Sequence, residues 1–197
     1  MSKNNYHHGN LKKAIINEAL KLLKLNGHHN LSFRLISRNI GVVSSAPYNH
    51  FKDKDELLQA LIILGYNQLI AKVLDQKKKS DIPAEQLKLV AKAYIDFAYK
   101  EKALFNLIFG ETNKDLLYFI NKTVLQFEKI ISEKFKNGKR VKLTEKGSAV
   151  TAWSMVHGLT EMVRNNKITD IENVLNIRLE EIFNEMTAIW GKGVTSL

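Results

Sequence analysis

The sequence contains no cysteine and only two prolines among its 197 residues. The absence of cysteine excludes disulfide frameworks and thiolate metal sites, and it is typical of intracellular proteins. No apolar run stands out as long enough to cross a bilayer, and the N-terminal residues lack the hydrophobic core of a signal peptide. We therefore expect a cytoplasmic protein with no membrane partner.

Negative charge is also scarce, since 20 acidic residues face 30 lysines and arginines, for a net charge of +10. Residues 1–60 hold nine of the basic residues against four acidic ones, and five of the six histidines. Such an excess favours polyanionic partners through phosphate neutralisation and counterion release. The densest positive charge therefore lies in the first third of the chain.

Apolar residues recur at spacings of three and four along most of the chain, which predicts an all-α protein of about nine helices. Ser32 is a predicted N-cap, and Gly27 a predicted left-handed C-cap. A short turn at Thr169-Asp170 is expected to separate the last two helices. The predicted helices span about residues 10–26, 32–40, 44–50, 53–78, 84–100, 101–110, 114–136, 145–166 and 170–190. We divide the chain into residues 1–53 and residues 54–197.

One polar stretch, "RNIGVVSSAPYNHFKDKDEL" (Arg38 to Leu57), interrupts this helical pattern. Two helices joined by a tight turn at Gly41, with polar residues on the second, form a helix-turn-helix arrangement. Serine side chains can donate to or accept from base edges, and alanine can contact a thymine methyl group. The candidate DNA-binding residues are Ser32, Arg34, Ser44, Ser45, Ala46, Tyr48, Asn49, His50, Lys52 and Lys54.

Each of these features also has a structural explanation. A glycine-containing turn between helices is common, Ser44 and Ser45 could form an N-cap, and Lys52 and Lys54 could be solvated. The order of all these features, in the most basic part of the chain, favours DNA binding.

Residues Leu11 to Leu61 resemble the N-terminal DNA-binding domain of TetR-family transcriptional regulators. The matching patterns are A-x-x-L-x-x-x-x-G, S-x-R-x-I-x-x-x-x-G-V and Y-x-H-F-x-x-K-x-x-L, and "YHHGNL" is similar to the start of a subgroup. A second segment, "AWSMVHGLTEMV", is similar to a Trp-x-x-x-His-Gly segment of some family C-terminal domains. The resemblance implies that Tyr48 and Lys54 hold phosphates and that Arg34 and Ser32 touch the DNA backbone or groove.

The resemblance also implies a helical C-terminal domain with an apolar ligand pocket, although the same side chains would also serve as a filled core. The candidate pocket residues are Tyr94, Phe97, Phe105, Phe109, Tyr118, Phe127, Trp153 and His157. The predicted last two helices are apolar over a wide arc, which fits a helix that serves both a core and a subunit interface. The candidate dimer-interface residues are Met155, Leu159, Met162, Ile182, Met186 and Ile189.

No nucleophile–base set, phosphate-cradling glycine loop or apolar carboxylate pair is evident, so an enzyme is not expected. His157 and Glu161 could share a metal, but a zinc site requires three or four ligands, so we predict neither metal nor cofactor. We expect a homodimeric repressor that binds a palindromic operator and is released by an apolar or aromatic effector. The alternatives are an activator, or a DNA-binding protein controlled by a partner protein or by no ligand.

Overall fold

The computed structural model describes residues 8–110, 113–135 and 144–193, and these residues contain nine α-helices, one 3₁₀ turn and no strand. The predicted all-α fold is thereby confirmed. The elements are α1 (His8–Asn26), α2 (Phe33–Ile40), the 3₁₀ turn (Ala46–Asn49), α3 (Lys54–Lys77), α4 (Pro83–Lys100), α5 (Lys102–Phe109), α6 (Leu116–Phe135), α7 (Glu145–Arg164), α8 (Lys167–Leu175) and α9 (Leu179–Gly193).

The prediction of a third α-helix over residues 44–50 is wrong, because the chain forms only a 3₁₀ turn there. The amide of Tyr48 donates to the Ser45 carbonyl at 3.1 Å, and the amide of His50 donates to the Pro47 carbonyl at 2.9 Å. These bonds span three residues instead of four, and Pro47 has no amide hydrogen to donate. The segment is therefore shorter and more tightly wound than expected.

The predicted last helix, residues 170–190, is also wrong, because the structure divides it into α8 and α9. Asn176 adopts a left-handed conformation with φ 50°, which asparagine tolerates better than most residues. The turn expected at Thr169-Asp170 lies instead just before α8, where Asn166 has φ 58°. The predicted helix end at Asn137-Gly138 lies outside the described residues.

The chain forms two compact units, which we call the N-terminal unit (residues 1–66 with 103–114) and the C-terminal unit (residues 67–102 with 115–197). Helix α3 begins in the first unit and ends in the second. Buried apolar side chains fill the N-terminal unit, among them Ile15, Ala19, Leu23, Ile36, Phe51, Leu57, Leu61, Leu104 and Ile108. In the C-terminal unit, α4, α6 and α7 pack together, and the buried side chains include Val90, Tyr94, Phe97, Phe127, Ile131, Ala152 and Val156.

Helix α3 is long and apolar enough to cross a membrane by length and composition alone, with a mean hydropathy of 1.6 over its most apolar window. The expectation that no such run exists was therefore wrong. Its apolar residues also have a place in the protein: Leu57 and Leu61 are buried in the N-terminal unit, and Leu69 and Val73 in the C-terminal unit.

Candidate nucleic-acid interface

Helix α2 is closed at both ends by the residues that its sequence predicts. The Ser32 hydroxyl accepts a hydrogen bond from the amide of Leu35 at 3.3 Å. At the other end Gly41 has φ 74°, and its amide donates to the Ser37 carbonyl. Capping at both ends fixes the length of the helix and its exit direction. The side chains of α2 therefore project from a defined backbone.

Side-chain contacts tie α2 and its neighbouring loop into the N-terminal unit. The Asn39 side-chain amide donates to the Glu18 carboxylate at 2.7 Å, which joins α2 to α1. The Lys54 ammonium donates to the His29 carbonyl at 3.1 Å, which joins the start of α3 to the loop between α1 and α2. Lys54, an expected phosphate contact, thus also holds this loop in place.

The start of α3 carries the predicted capping arrangement. The Asp53 carboxylate accepts from the amide of Glu56 at 2.9 Å, and the Glu56 carboxylate accepts from the amide of Lys52 at 2.5 Å. The returning bond reaches Lys52, one residue earlier than in the usual capping box. Two backbone donors are satisfied by neighbouring carboxylates, so the chain turns sharply from the 3₁₀ turn into α3.

Between these fixed points, residues 43–49 form an exposed segment, which we call the 43–49 segment. Val43 is 71% exposed and Tyr48 is 59% exposed, which is unusual for apolar and aromatic side chains. Buried Pro47 anchors the segment, and the Tyr48 and Phe33 rings meet edge to face with centroids 4.9 Å apart. Of the predicted contact residues here, Ser44, Ser45, Tyr48 and Asn49 are exposed, while Ala46 and His50 are half-buried.

A groove of about 390 Å³ runs along α2 beside this segment. It is lined by Ser32, Arg34, Leu35, Ser37, Arg38, Val42 and Ser44. Three of these residues were predicted from the sequence, but Arg38 was missed. Its signal was available, because Arg34 and Arg38 are four residues apart and so share one helix face.

Two histidines lie in the loop between α1 and α2, with ring centroids 3.9 Å apart. Partial burial lowers the pKa of His28, and the nearby His29 and Lys54 lower it further. These effects favour the neutral form of His28 beside Lys54.

The N-terminal unit also contains an exposed ion pair, in which Lys114 approaches the Asp55 carboxylate to 2.6 Å. The hydrogen bond from Lys114 lowers the pKa of Asp55, and the same bond raises the pKa of Lys114. Because both groups are solvated, this pair contributes little to stability.

Three predicted pocket residues meet in the C-terminal unit. The Tyr94 hydroxyl lies 2.9 Å from His157 Nδ1, and the Trp153 ring stacks on the His157 ring with centroids 5.0 Å apart. Burial lowers the pKa of His157, while the Glu161 carboxylate opposes that shift. The indole nitrogen of Trp153 is buried without a hydrogen-bond partner among the described residues. We call Tyr94, Trp153 and His157 the aromatic cluster.

The other predicted pocket residues are placed differently. Phe97 and Phe127 are fully buried in the C-terminal unit, whereas Tyr118 is 55% exposed. Phe105 and Phe109 belong to the N-terminal unit, where their ring centroids are 4.8 Å apart. The structure therefore does not gather all eight predicted residues around one cavity.

Sequence reasoning missed two clefts in the C-terminal unit. One, of about 510 Å³, is lined by charged residues of α3 and α4, including Lys72, Asp75 and Asp96. The Asp96 carboxylate lies 2.7 Å from Lys100 and 3.5 Å from Lys72, and the Lys100 hydrogen bond lowers its pKa. The other, of about 480 Å³, is more apolar and is lined by Lys92, Ile95, Asp96, Tyr99, Val163, Leu179, Glu180 and Phe183.

The predicted dimer-interface residues fall into three groups. Met162 and Ile189 are exposed, at 42% and 63%. Met155, Ile182 and Met186 are half-buried. Leu159 is only 6% exposed and belongs to the core of its own chain, which leaves little of its surface for a partner.

Comparison with known proteins explains the arrangement of the N-terminal unit. Residues 15–61 match the model of a family described as bacterial regulatory proteins, tetR family. Residues 15–61 are thus similar to the DNA-binding part of this family. The match covers the two capped ends of α2, the 43–49 segment and the start of α3. It does not reach the Trp153-x-x-x-His157-Gly158 segment, whose resemblance to family C-terminal domains stays a prediction.

A curated relative is likewise described as a regulator of transcription. The HTH-type transcriptional regulator Mb1846 of Mycobacterium bovis is 29% identical over 103 residues, which are 51% of this chain and 44% of that protein. This chain therefore spans about half the length of the curated relative it matches. The family and this relative are regulatory proteins and not enzymes.

Solved structures share the fold. A protein of unknown function from Rhodococcus sp. RHA1 has a TM-score of 0.83 at 22% identity, covering 98% of this chain and 100% of that one. AibR, solved in complex with isovaleryl coenzyme A and operator DNA, has a TM-score of 0.59 at 20% identity, covering 78% of this chain and 85% of AibR.

Proposed function

We propose that this TetR-family regulator is a cytoplasmic homodimeric repressor that binds a palindromic operator and is released by a small molecule. Residues 1–53 bind DNA, and residues 54–197 bind the effector and the second subunit. The observation that carries the proposal is the exposed 43–49 segment beside the arginine-lined groove of α2. This surface combines exposed polar side chains with positive charge, as base contacts and phosphate contacts require.

The 43–49 segment supplies the base contacts in this proposal. Ser44, Ser45 and Asn49 are exposed and can exchange hydrogen bonds with base edges. Tyr48 holds a phosphate through its hydroxyl. Because Pro47 is buried and α2 is capped, these side chains are held in position before DNA arrives.

Homodimerisation accounts for the exposed apolar residues of the last helices. Met162 and Ile189 are exposed large apolar side chains on α7 and α9. Covering them with the same helices of a second copy removes this surface from water, and two-fold symmetry then requires a palindromic operator. Sedimentation of the purified protein tests this step, and a monomer at the concentration used for DNA binding would contradict it.

The aromatic cluster is the proposed effector site. Stacked aromatic rings favour an apolar or aromatic ligand, and the unpartnered Trp153 indole N–H can donate to a polar atom of that ligand. AibR, with a similar fold, is known with both a small molecule and operator DNA, which supports the presence of both sites in one chain. Helix α3 contributes residues to both units and is the proposed route of coupling. By linkage, effector and operator weaken each other's binding by the same factor.

The DNA-binding step is tested by selecting duplexes from a random pool and measuring their affinity by fluorescence anisotropy. We expect a palindromic sequence bound at nanomolar affinity and a loss of about tenfold or more for Tyr48→Ala. The matched control is Lys129→Ala, which removes one exposed positive charge from the C-terminal unit. Binding without sequence preference, with Tyr48→Ala equal to wild type, would refute the proposal.

The effector step is tested through tryptophan fluorescence, because the chain has only Trp153 and Trp190. In a Trp190→Phe variant, a compound that binds the aromatic cluster should change the fluorescence of Trp153. The same compound should release the operator over the same concentration range, and should reverse repression in a transcription assay. A compound that releases DNA without changing Trp153 fluorescence would place the effector elsewhere.

A further inference from the structure

The more apolar of the two clefts in the C-terminal unit has no part in the proposed function. We call it the α9 cleft, because Leu179, Glu180 and Phe183 of α9 line it together with residues of α4 and α7. Its volume, about 480 Å³, is within the range of small-molecule sites. The residues that line it do not include Tyr94, Trp153 or His157, so the α9 cleft is distinct from the aromatic cluster.

An ammonium group of the chain itself already lies at the α9 cleft. Lys92 Nζ is 3.5 Å from the Glu180 carboxylate, and it lies over the Phe183 ring at 5.7 Å from the ring centre. A carboxylate and the face of an aromatic ring both attract a cation. The position of Lys92 therefore marks a place suited to a positive charge.

The second aromatic ring of the α9 cleft attracts a lysine in the same way. Lys102 Nζ lies over the Tyr99 ring at 5.4 Å from its centre, and Tyr99 is 54% exposed. Of the three charged residues that line the cleft, two are acidic, Asp96 and Glu180. The cleft thus favours a cation, although the whole chain carries a net charge of +10.

Lys92 can leave its place at little cost in free energy. Its side chain is 50% exposed and that of Glu180 is 71% exposed, and exposed ion pairs contribute little to stability. Asp96 lies four residues further along α4, so it is within reach of Lys92 on the same helix face. Phe183 is 3% exposed with Lys92 over it, and its ring face becomes available when Lys92 moves.

We propose that the α9 cleft binds an organic ammonium ion with an apolar alkyl or aryl body, in place of the Lys92 ammonium. The cationic head of the ligand lies between the Glu180 carboxylate and the Phe183 ring. Its body packs on half-buried apolar side chains from three helices, Ile95, Val163 and Leu179. This added apolar burial lets the ligand compete with Lys92, which supplies the same charge. The site depends on neither the proposed effector site nor the proposed DNA-binding surface.

Three probes with the same phenylpropyl body and different charges test the proposal. They are 3-phenylpropylammonium, 3-phenylpropanol and 4-phenylbutanoate, and isothermal titration calorimetry measures their binding to the full chain. We expect the ammonium probe to bind most tightly and the carboxylate most weakly, because the cleft presents ring faces and carboxylates. A carboxylate probe that binds as tightly as the ammonium would overturn the proposal, and so would an ammonium probe that does not bind.

Two substitutions at the cleft should change the affinity in opposite directions. Glu180→Gln keeps the shape of the side chain but removes its charge, and it should weaken the ammonium probe about two- to fivefold while leaving the alcohol unchanged. Lys92→Met removes the competing ammonium but keeps a long apolar side chain, and it should strengthen binding of the ammonium probe by a similar factor. Glu185→Gln is the matched control, since Glu185 is an exposed carboxylate of α9 that does not line the cleft.

The same variants distinguish the α9 cleft from the aromatic cluster as the place where the cation binds. If Trp153→Phe weakens the ammonium probe and Glu180→Gln does not, the cation binds at the aromatic cluster and the proposal is overturned. Equal affinity in wild type, Glu180→Gln and Lys92→Met would also overturn it. Operator affinity of the same variants is measured separately, so failure of the α9 cleft leaves the proposed function in place.

Discussion

Substitution of Gly41 tests whether a single left-handed residue determines the geometry of the N-terminal unit. The φ of Gly41 is 74°, and a Cβ added to it would meet no atom within 4 Å. Gly41→Ala therefore changes the backbone preference without a steric clash. The left-handed conformation costs a non-glycine residue about 1–2 kcal/mol, and the lower entropy of the unfolded alanine chain offsets about 0.4–1 kcal/mol. The net loss of stability is about 1 kcal/mol.

Urea denaturation of the wild type and of two variants measures this loss. With a denaturant slope of about 1–3 kcal/mol per molar, the midpoint of Gly41→Ala should fall by about 0.3–1 M. Gly41→Asn should lie closer to wild type, because asparagine tolerates the left-handed region. Operator affinity should change little where both proteins are folded, since the side chain points into open space. Equal midpoints for Ala and wild type would show that the turn does not depend on a positive φ.

Three further predictions concern the C-terminal unit. Gly158 is exposed inside α7 and an added Cβ meets nothing within 4 Å, so Gly158→Ala should raise stability by about 0.5–1 kcal/mol; a lower urea midpoint would contradict this. Because burial holds the pKa of His157 below its ordinary 6.5, the unfolded state binds more protons, and stability should fall as pH drops below that value. The thermal midpoint should therefore change less between pH 7.5 and 5.5 in His157→Asn than in wild type, and equal changes would refute the assignment. Leu159→Ala should lower the free energy of unfolding by about 2–5 kcal/mol because Leu159 lies in the core, and a loss well below 1 kcal/mol would show otherwise.

The sequence predicted helix ends best where a capping residue marks them. Ser32, Gly41 and the Asp53–Glu56 pair each specify a local hydrogen bond or backbone conformation, and the structure shows all three. The break at Asn176 could not be found in this way. Apolar residues continue through it at Val174, Leu175, Ile177 and Leu179, so helical periodicity gives no signal of the break.

The candidate sites were predictable only as far as they depend on local sequence. The exposed 43–49 segment lies where the helix-turn-helix pattern places it, although it contains a 3₁₀ turn instead of the predicted helix. Arg38 was visible in the sequence, but the groove beside it depends on how α2 packs. Aromatic residues of α4 and α5 show the same helical spacing, yet Tyr94 joins His157 in the C-terminal unit while Phe105 belongs to the N-terminal unit. Tertiary packing determines which of the two units an aromatic side chain joins, and helical periodicity does not encode that packing.

Some side chains of the N-terminal unit hold its backbone in place, and others are left exposed. Ser32 and Gly41 cap α2, and the Asn39–Glu18 hydrogen bond joins α2 to α1. A carboxylate caps the start of α3. The side chains that stay exposed include Arg34, Arg38, Ser44, Ser45, Tyr48 and Asn49. The two arginines and Ser44 line one groove beside the exposed side chains of the 43–49 segment. A polyanion can contact these exposed groups together, as the proposed function requires.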